Sequence, residues 1–283
     1  MMDLRRDFEA LDDQLEKLLR KTTREQRQIF GKMRTTINQE IARSFERYGA
    51  LTTDTMSVYD RQSRLFTTVR ALVNEYGADS RKELYAALRG VYGTGYGETM
   101  QIMQTATGRK VRGIAKAEQV TEAIQSTLSG QPLKARIKRA SDQLVFNVQE
   151  AIGRGIREGQ SYSQMARSVT GTILSDGSPV GYSRARMISA TESHRIMETA
   201  KHDALDHAVK QGIELKKYWV SMRDERVRTT HENMDQIYSP ETAIPFEEDF
   251  ENPETGGKGP NPGALGVPED DINCRCVAVY VVI

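Results

Sequence analysis

Six side chains in the last quarter of this sequence could carry chemistry. Asp224, Arg226, Arg228 and His231 crowd one short run, and Cys274 and Cys276 stand in Asn-Cys-Arg-Cys. On an extended chain, cysteines two residues apart present both sulfurs to one side. With His231 they make three soft ligands, and Asp235, Asp224 or another histidine a fourth, a set that suits tetrahedral zinc. Against zinc, Cys-x-Cys is a poorer signature than Cys-x-x-Cys. A second reading is architectural: an arginine pairs with a carboxylate, Asp224 caps a turn, and the cysteines are small buried hydrophobes. A third is catalytic. His231 as general base and Arg226 with Arg228 as a transition-state clamp could cleave a phosphodiester, although no second acid or base partner is evident. Arg275 alone is little activation for a thiol nucleophile. His194, His202 and His207 read as surface histidines, since 202 and 207 are five apart and off one helical face.

The elements that must position these residues follow from periodicity. Leu4, Phe8, Leu11, Leu15 and Leu18 step by 4, 3, 4, 3, a heptad seam on a helix. Thr22 to Glu25 has the form of a capping box that starts or resets a helix, and Phe30, Met33, Ile37, Ile41 and Phe45 continue the spacing. The stripe serves either a core or a partner-helix seam. A second helix is expected from Thr52 to Tyr76 with Gly77 as its stop, and a third capped by Asp79 or Ser80. Gly90, Gly93, Gly95 and Gly97 follow no strand and precede no Lys-Ser/Thr, so they are no phosphate loop; close helix packing or a hinge is the expectation. Ala117–Leu128 is helical, stopped at Ser129-Gly130-Gln131-Pro132, and 138–158 is helical on the step of four from Leu144 to Ile156. Gly159 breaks that helix and Ser161 caps its successor. Thr170–Gly181 is the linker candidate.

A long helix is expected from Ser183 to Gln211, with Gly212 as its C-terminal cap. Glu192 falls inside its apolar stripe of Ile188, Ile196, Ala200, Ala204 and Ala208. Either the helix is rotated and Glu192 is wet, or Glu192 is buried and paired with an arginine from the cluster ahead. The period then becomes two: Leu215, Lys217, Trp219 and Ser221 share one strand face, and Tyr218, Val220 and Met222 the other. Asp224 and Thr230 are expected to cap short turns. Residues 239–273 read as a long loop, functional or disordered, and open to proteases. Cys276–Ile283 reads as a buried strand beside 215–222.

Bulk properties bound the rest. A chain of 283 residues has room for about two domains. Charged residues at 28% and a mean hydropathy of −0.58 fit an ordinary globular composition. No run reaches the roughly 18 apolar residues of a membrane helix, and the charged N-terminus is not a signal peptide. Two cysteines separated by one residue are no disulfide framework, which points to a reducing cytoplasm. Residues 1–150 carry about six excess positive charges and the remainder about five excess negative ones. Lys134, Arg136, Lys138 and Arg139, with Arg109, Lys110, Arg112 and Lys116 upstream, are either a solvated helix face or a phosphate-binding surface.

The run Arg184–Glu192, then Trp219 with Asp224, Arg226, Arg228 and His231, then Asn273-Cys274-Arg275-Cys276, resembles the signature of the Mu F-like phage head morphogenesis domain. This is the domain of minor head proteins of tailed phages, including the SPP1-type minor capsid protein. The likeness covers about residues 180–283. Glu192, Trp219, Asp224, Arg226, Arg228, His231, Asn273 and Arg275 stand at its signature positions. One departure is Met234-Asp235-Gln236, where the family commonly has Asp-Gly and a tight turn. The resemblance implies an α+β, mainly α fold. A long-helix region, 1–180, precedes a small α+β domain with a short sheet, 181–283. It implies a non-enzymatic virion protein, in the head interior or at the portal vertex, assembled in the host cytoplasm. Its expected partners are the portal protein, a major capsid or scaffold protein and double-stranded DNA, with no membrane; no cofactor is expected beyond a structural zinc. The rival reading is a nuclease or toxin-like effector using the Arg/His cluster. A delivered toxin is expected to carry a separable catalytic module beyond the head domain, and no residues remain for one here.

Overall fold

The computed structural model describes every residue except Met1, Ser57, Val58, Ser129, Gly177 and Pro179, and the backbone alone for Tyr59. Along the chain run β1 (Met2–Asp3), α1 (Arg5–Tyr48), α2 (Thr53–Met56), α3 (Tyr59–Thr107), α4 (Ala117–Gln125), β2 (Thr127–Leu128) and β3 (Gln131–Pro132). Then come α5 (Leu133–Arg157), α6 (Tyr162–Leu174), α7 (Gly181–Val209), β4 (Leu215–Val220) and α8 (Thr229–Ile237). A 3-10 turn at Pro240–Thr242 leads to β5 (Ile244–Pro245), β6 (Phe250–Glu251), β7 (Lys258–Gly259), α9 (Pro268–Asp271) and β8 (Val277–Val282). The fold is α+β and mainly α, with the long helices first and the sheet near the C-terminus. It divides into two compact units: Met1–Arg20 with Tyr85–Leu133 and Ala190–Ile283, and Lys21–Leu84 with Lys134–Ser189.

The second of these units is helical. Phe30, Met33, Ile37 and Ile41 of α1 pack with Val69 and Val73 of α3, Leu144, Val148 and Ile152 of α5, and Met165 and Val169 of α6. The seam is therefore core here, as it is for Leu4, Phe8, Leu11 and Leu15 in the first unit. The expected capping box at Thr22 is not used. α1 runs through it, because Thr22 and Gln26 continue the buried stripe rather than interrupting it. Gln26 Nε2 donates to the Ser80 carbonyl at 2.8 Å, and Ser80 Oγ donates to Gln26 Oε1, so Ser80 is a mid-helix partner and not a cap. Gly77 does not stop a helix either. α3 passes through it with Ser141 Oγ 3.2 Å from where a Cβ would stand. A mid-helix glycine costs about 1 kcal/mol, which tertiary packing overrides.

Ser161 caps α6 as expected, accepting from the Gln164 amide at 3.4 Å. The linker is shorter than expected, since α6 extends to Leu174; Gly177 and Pro179 lie outside the described residues. Gly181 opens α7 at φ +65, where a Cβ would sit 2.4 Å from the Ile173 carbonyl oxygen, so only glycine fits.

In the first unit α3 carries the glycine cluster without a break. At Gly95 a Cβ would meet Met197 Sδ at 2.6 Å and Ala200 Cβ at 3.0 Å. Close packing, not a hinge, is the use of that glycine. Tyr92 donates to Asp203 at 2.6 Å beside it. α4 ends at Gln125, earlier than expected, and the chain turns through the small β2–β3 hairpin. Ser129 of the expected stop lies outside the described residues.

β8 is antiparallel to β4 as the apolar C-terminal run predicts, with Trp219 opposite Ala278. The sheet order is β1-β8-β4-β5 among the described residues. Tyr218, Val220, Val277, Val279 and Val281 form one apolar face. Residues 239–273 are not an open loop. Short strand pairs, the 3-10 turn and α9 fold it against the unit, and Phe246, Phe250, Asn252, Asn261 and Leu265 are buried. Asp271 accepts from the Leu265 and Gly266 amides at 2.8 and 2.9 Å, and Asp270 from Asn252 Nδ2 at 2.9 Å. Asp271 supplies acceptors that the loop backbone needs, and Asp270 ties loop side chains together.

Candidate metal-ligand and signature site

β1 covers β8 only at Val281 and Val282. Upstream of them, α7 side chains take the partner's place along the chain that leads into β8. The Asn273 amide donates to Thr191 Oγ1 at 3.3 Å, His194 Nε2 meets the Cys276 carbonyl at 2.7 Å, and the Ala278 amide donates to Glu198 Oε2 at 3.0 Å. Four helical residues rise about 6 Å and two strand residues about 6.8 Å, so positions 194 and 198 match 276 and 278. Glu198 Oε1 in turn accepts from Lys201 Nζ at 2.6 Å, and Lys201 reaches Asp12 Oδ1 at 3.2 Å. Lys201 and Glu198 are fully buried, and Lys201 keeps a raised pKa. Burial lowers it, but Glu198 and Asp12 more than offset that.

Glu192 is buried, so it is not wet, but its expected partner is corrected. It pairs with Arg195 one turn ahead, at 3.2 Å from Nε and 2.8 Å from Nη2. Arg195 also donates to Ser126 Oγ at 2.5 Å and the Ala123 carbonyl at 2.9 Å, tying α7 to the end of α4. The pair forms within one helix because three residues is a facing distance. Arg226 is exposed and reaches only Asp224, at 3.4 Å. Arg228 donates to the Ile272 carbonyl. Asp224 makes a two-pronged pair with Arg275, at 2.7 and 2.5 Å, and accepts from the Arg226 amide at 3.1 Å. The Arg275 bond holds its carboxyl well below the usual carboxylate range. Asp224 thus caps its turn as expected. Thr230 does not: α8 starts at Thr229 with Arg228 at its N-cap position. Asp235 lies inside α8 and binds Ser221 and Arg223, so no turn follows the histidine where the family has Asp-Gly.

His231, Cys274 and Cys276 come together in a buried cluster, with one ligand atom of each within 4.8 Å of the others. His231 Nδ1 stands 3.2 Å from Cys276 Sγ and 3.8 Å from Cys274 Sγ. Its Nε2 faces Asp270 Oδ1 at 3.4 Å. Trp219, fully buried, meets the imidazole edge-on at 5.6 Å and Phe250 at 5.4 Å. The Cys274 thiol is pushed up to about 12, by its hydrogen bond with Cys276 and by burial, which removes it as a nucleophile near neutral pH. Neither Asp224 nor Asp235 joins the cluster. His194 meets the Cys276 carbonyl but stands outside the group of ligand atoms within 4.8 Å of one another.

The expectation that the other three histidines are surface residues is corrected. His194 is buried, His202 stacks on Phe246 at 4.6 Å, and His207 Nδ1 meets Tyr96 Oη at 2.8 Å. Each lies on α7, where every residue from Thr191 to Glu198 is buried. Sequence reasoning also missed Glu198, Lys201, Asp270 and Lys217. Lys217 is fully buried, donates to the Pro260 carbonyl at 2.7 Å and lies over the Phe250 and Phe246 rings at 5.0 and 5.7 Å. Burial lowers its pKa to about 8, although Asp249, Glu247 and Glu248 oppose that. The acidic run was a visible signal for a buried cation nearby.

Of the expected phosphate-contacting residues, Lys134, Arg136, Lys138 and Arg139 all lie on the first two turns of α5. Lys134 and Arg139 are exposed, Arg136 is partly covered, and Lys138 pairs with Asp142 at 2.6 Å.

Residues 146–279 match the family described as Phage Mu protein F like protein. Over 278 residues the chain is 26% identical to the Minor head protein GP7 of Bacillus phage SPP1, covering 97% of this chain and 86% of that protein. Over 163 residues it is 28% identical to the NAD(+)--arginine ADP-ribosyltransferase EFV of Enterococcus faecalis (strain ATCC 700802 / V583), covering 58% of this chain and 31% of that enzyme. No solved structure gives a significant match.

Proposed function

We propose that this chain, whose residues 146–279 match the Phage Mu protein F like family and which is similar to a minor head protein over 97% of its length, is a phage minor head protein built into the head at the portal. There it contributes to head morphogenesis and to packaging or delivery of DNA, without being an enzyme. The observation that carries this reading is the likeness to a minor head protein over 97% of the chain, helical region included. The signature residues support it. Asp224 and Arg275, Arg228 and the Ile272 carbonyl, and Glu192 and Arg195 are engaged with one another inside the fold. A nuclease would need His231 and the arginines aimed at a common open point. His231 is buried against the sulfurs, while Arg226 faces solvent. The likeness to the ADP-ribosyltransferase leaves most of that enzyme unmatched, so its activity is not carried over.

In this proposal the helical region, 1–180, meets the portal and DNA, and 181–283 docks to head proteins such as the major capsid or scaffold protein. The exposed cations at the start of α5 are the phosphate-facing surface. The test is co-purification with proheads, and with the portal in particular. Recovery in a few copies per particle supports the proposal. Absence from particles, with the protein free in the cytoplasm, refutes it and makes a nuclease assay of the purified chain the next step.

A further inference from the structure

We propose that His231, Cys274 and Cys276 bind one zinc ion, with Asp270 orienting His231 from behind and His194 holding the Cys276 backbone in place.

Zinc–sulfur bonds of about 2.3 Å and zinc–nitrogen bonds of about 2.0–2.1 Å give tetrahedral N···S edges of about 3.6 Å. The two N···S distances from His231 Nδ1, 3.2 and 3.8 Å, bracket that edge. Donors held that close without a cation must share protons among a nitrogen and two sulfurs, in a site that water does not reach. His231, Cys274 and Cys276 are each at most 3% exposed.

The second observation is independent of the sulfurs. His231 Nε2 is a buried nitrogen without a hydrogen bond to any described residue, and it is directed at Asp270 Oδ1, 3.4 Å away. Metal on Nδ1 fixes the ring proton on Nε2 and points it at that carboxylate, the usual outer-shell arrangement for a ligating histidine. Asp270 is held in place to receive it, accepting from Asn252 Nδ2 at 2.9 Å and Thr255 Oγ1 at 2.5 Å. The loop over 239–273 thereby becomes part of the site.

His194 approaches from α7. A carbonyl oxygen only accepts, so Nε2 donates its proton to the Cys276 carbonyl. The ring lies outside the group whose ligand atoms are within 4.8 Å of one another, so it positions the Cys276 backbone and is not itself a ligand. The ligands come from separate elements: the start of α8 and the approach to β8. The ion would cross-link them, and Asn273, at φ +58, makes the turn that brings Cys274 in.

Binding is a proton exchange. Two S–H bonds break, two Zn–S bonds form, and both protons leave to solvent, so affinity falls as pH falls. No redox partner is needed.

The test uses the full chain, untagged and reduced, stripped of metal and titrated with cobalt(II) and then zinc. The expected result is one cobalt per chain, with a thiolate-to-cobalt charge-transfer band and intense tetrahedral visible bands, all displaced by one zinc. Cys276→Ser should abolish the charge-transfer intensity from that sulfur, and Asp270→Asn should weaken binding about 10- to 100-fold. The proposal is overturned if wild-type chain gives no charge-transfer band, or gives one that Cys274→Ser and Cys276→Ser both leave intact. Because the wild-type titration decides by itself, a variant that fails to fold does not shelter the idea. Failure here leaves the head-protein reading untouched, since prohead association is measured separately.

Discussion

Replacing Arg195 by alanine should destabilise the first unit far more than replacing any arginine of the 223–228 run. Arg195 is 5% exposed at its side chain and its partner Glu192 is 0% exposed. The guanidinium makes two bonds to that carboxylate and one each to Ser126 and the Ala123 carbonyl. Its removal takes the main counter-charge from a buried carboxylate, for which the cost is about 3–5 kcal/mol. For a unit of this size each kcal/mol moves the melting midpoint by about 2–4 °C, so a fall of about 6–20 °C is expected. Arg226→Ala removes an exposed pair to Asp224 and should cost under about 1 kcal/mol. The assay is thermal denaturation of the full chain, followed by Trp219 fluorescence because that residue sits inside the first unit. The double change Glu192→Leu with Arg195→Leu should recover part of the loss, since a buried pair is often replaceable by apolar packing. If Arg195→Ala and Arg226→Ala shift the midpoint equally, or Arg195→Ala does not shift it, the pairing within α7 is wrong.

Three further outcomes are expected. Burial and the nearby Lys217 charge lower the pKa of His202 to about 4 from its ordinary 6.5, against the opposing pull of Asp206 and Asp249. Between those values the unfolded chain takes up a proton that the folded chain refuses, so stability falls as pH falls from 6.5 to about 4. Chemical denaturation across that range should show wild type losing up to about 3 kcal/mol more than His202→Phe, and parallel curves would refute the assignment. Limited proteolysis should spare residues 239–273 in the free protein, because Asp271 holds its backbone and Asp270 holds the Asn252 side chain; early cleavage there would contradict the docked loop. If the start of α5 binds duplex DNA, changing Lys134, Arg136, Lys138 and Arg139 to alanine should flatten the dependence of log K on log salt by up to about 3.6. An unchanged slope would remove this surface from DNA contact.

The amino-acid order alone determined what depends on neighbours a few residues away. Periods near 3.6 placed the long helices, period two placed β4, and the apolar run 277–282 placed β8, because each pattern reports a face against a core. Ser161 and Gly212 were legible as helix ends for the same local reason. Local rules failed where packing outweighed them. Thr22 and Gly77 carry start and stop signals worth about 1 kcal/mol, too little to end helices that bury continuous stripes on both sides. That Glu192 was either wet or paired could be read from its place in a stripe; that it pairs with Arg195 required knowing which helix face meets α4. The gathering of His231 with Cys274 and Cys276 could be guessed from residue type, whereas His194 and Asp270 could not. They reach the cluster from α7 and from a loop whose path no periodicity encodes, and only the tertiary fold brings such distant donors within bonding distance.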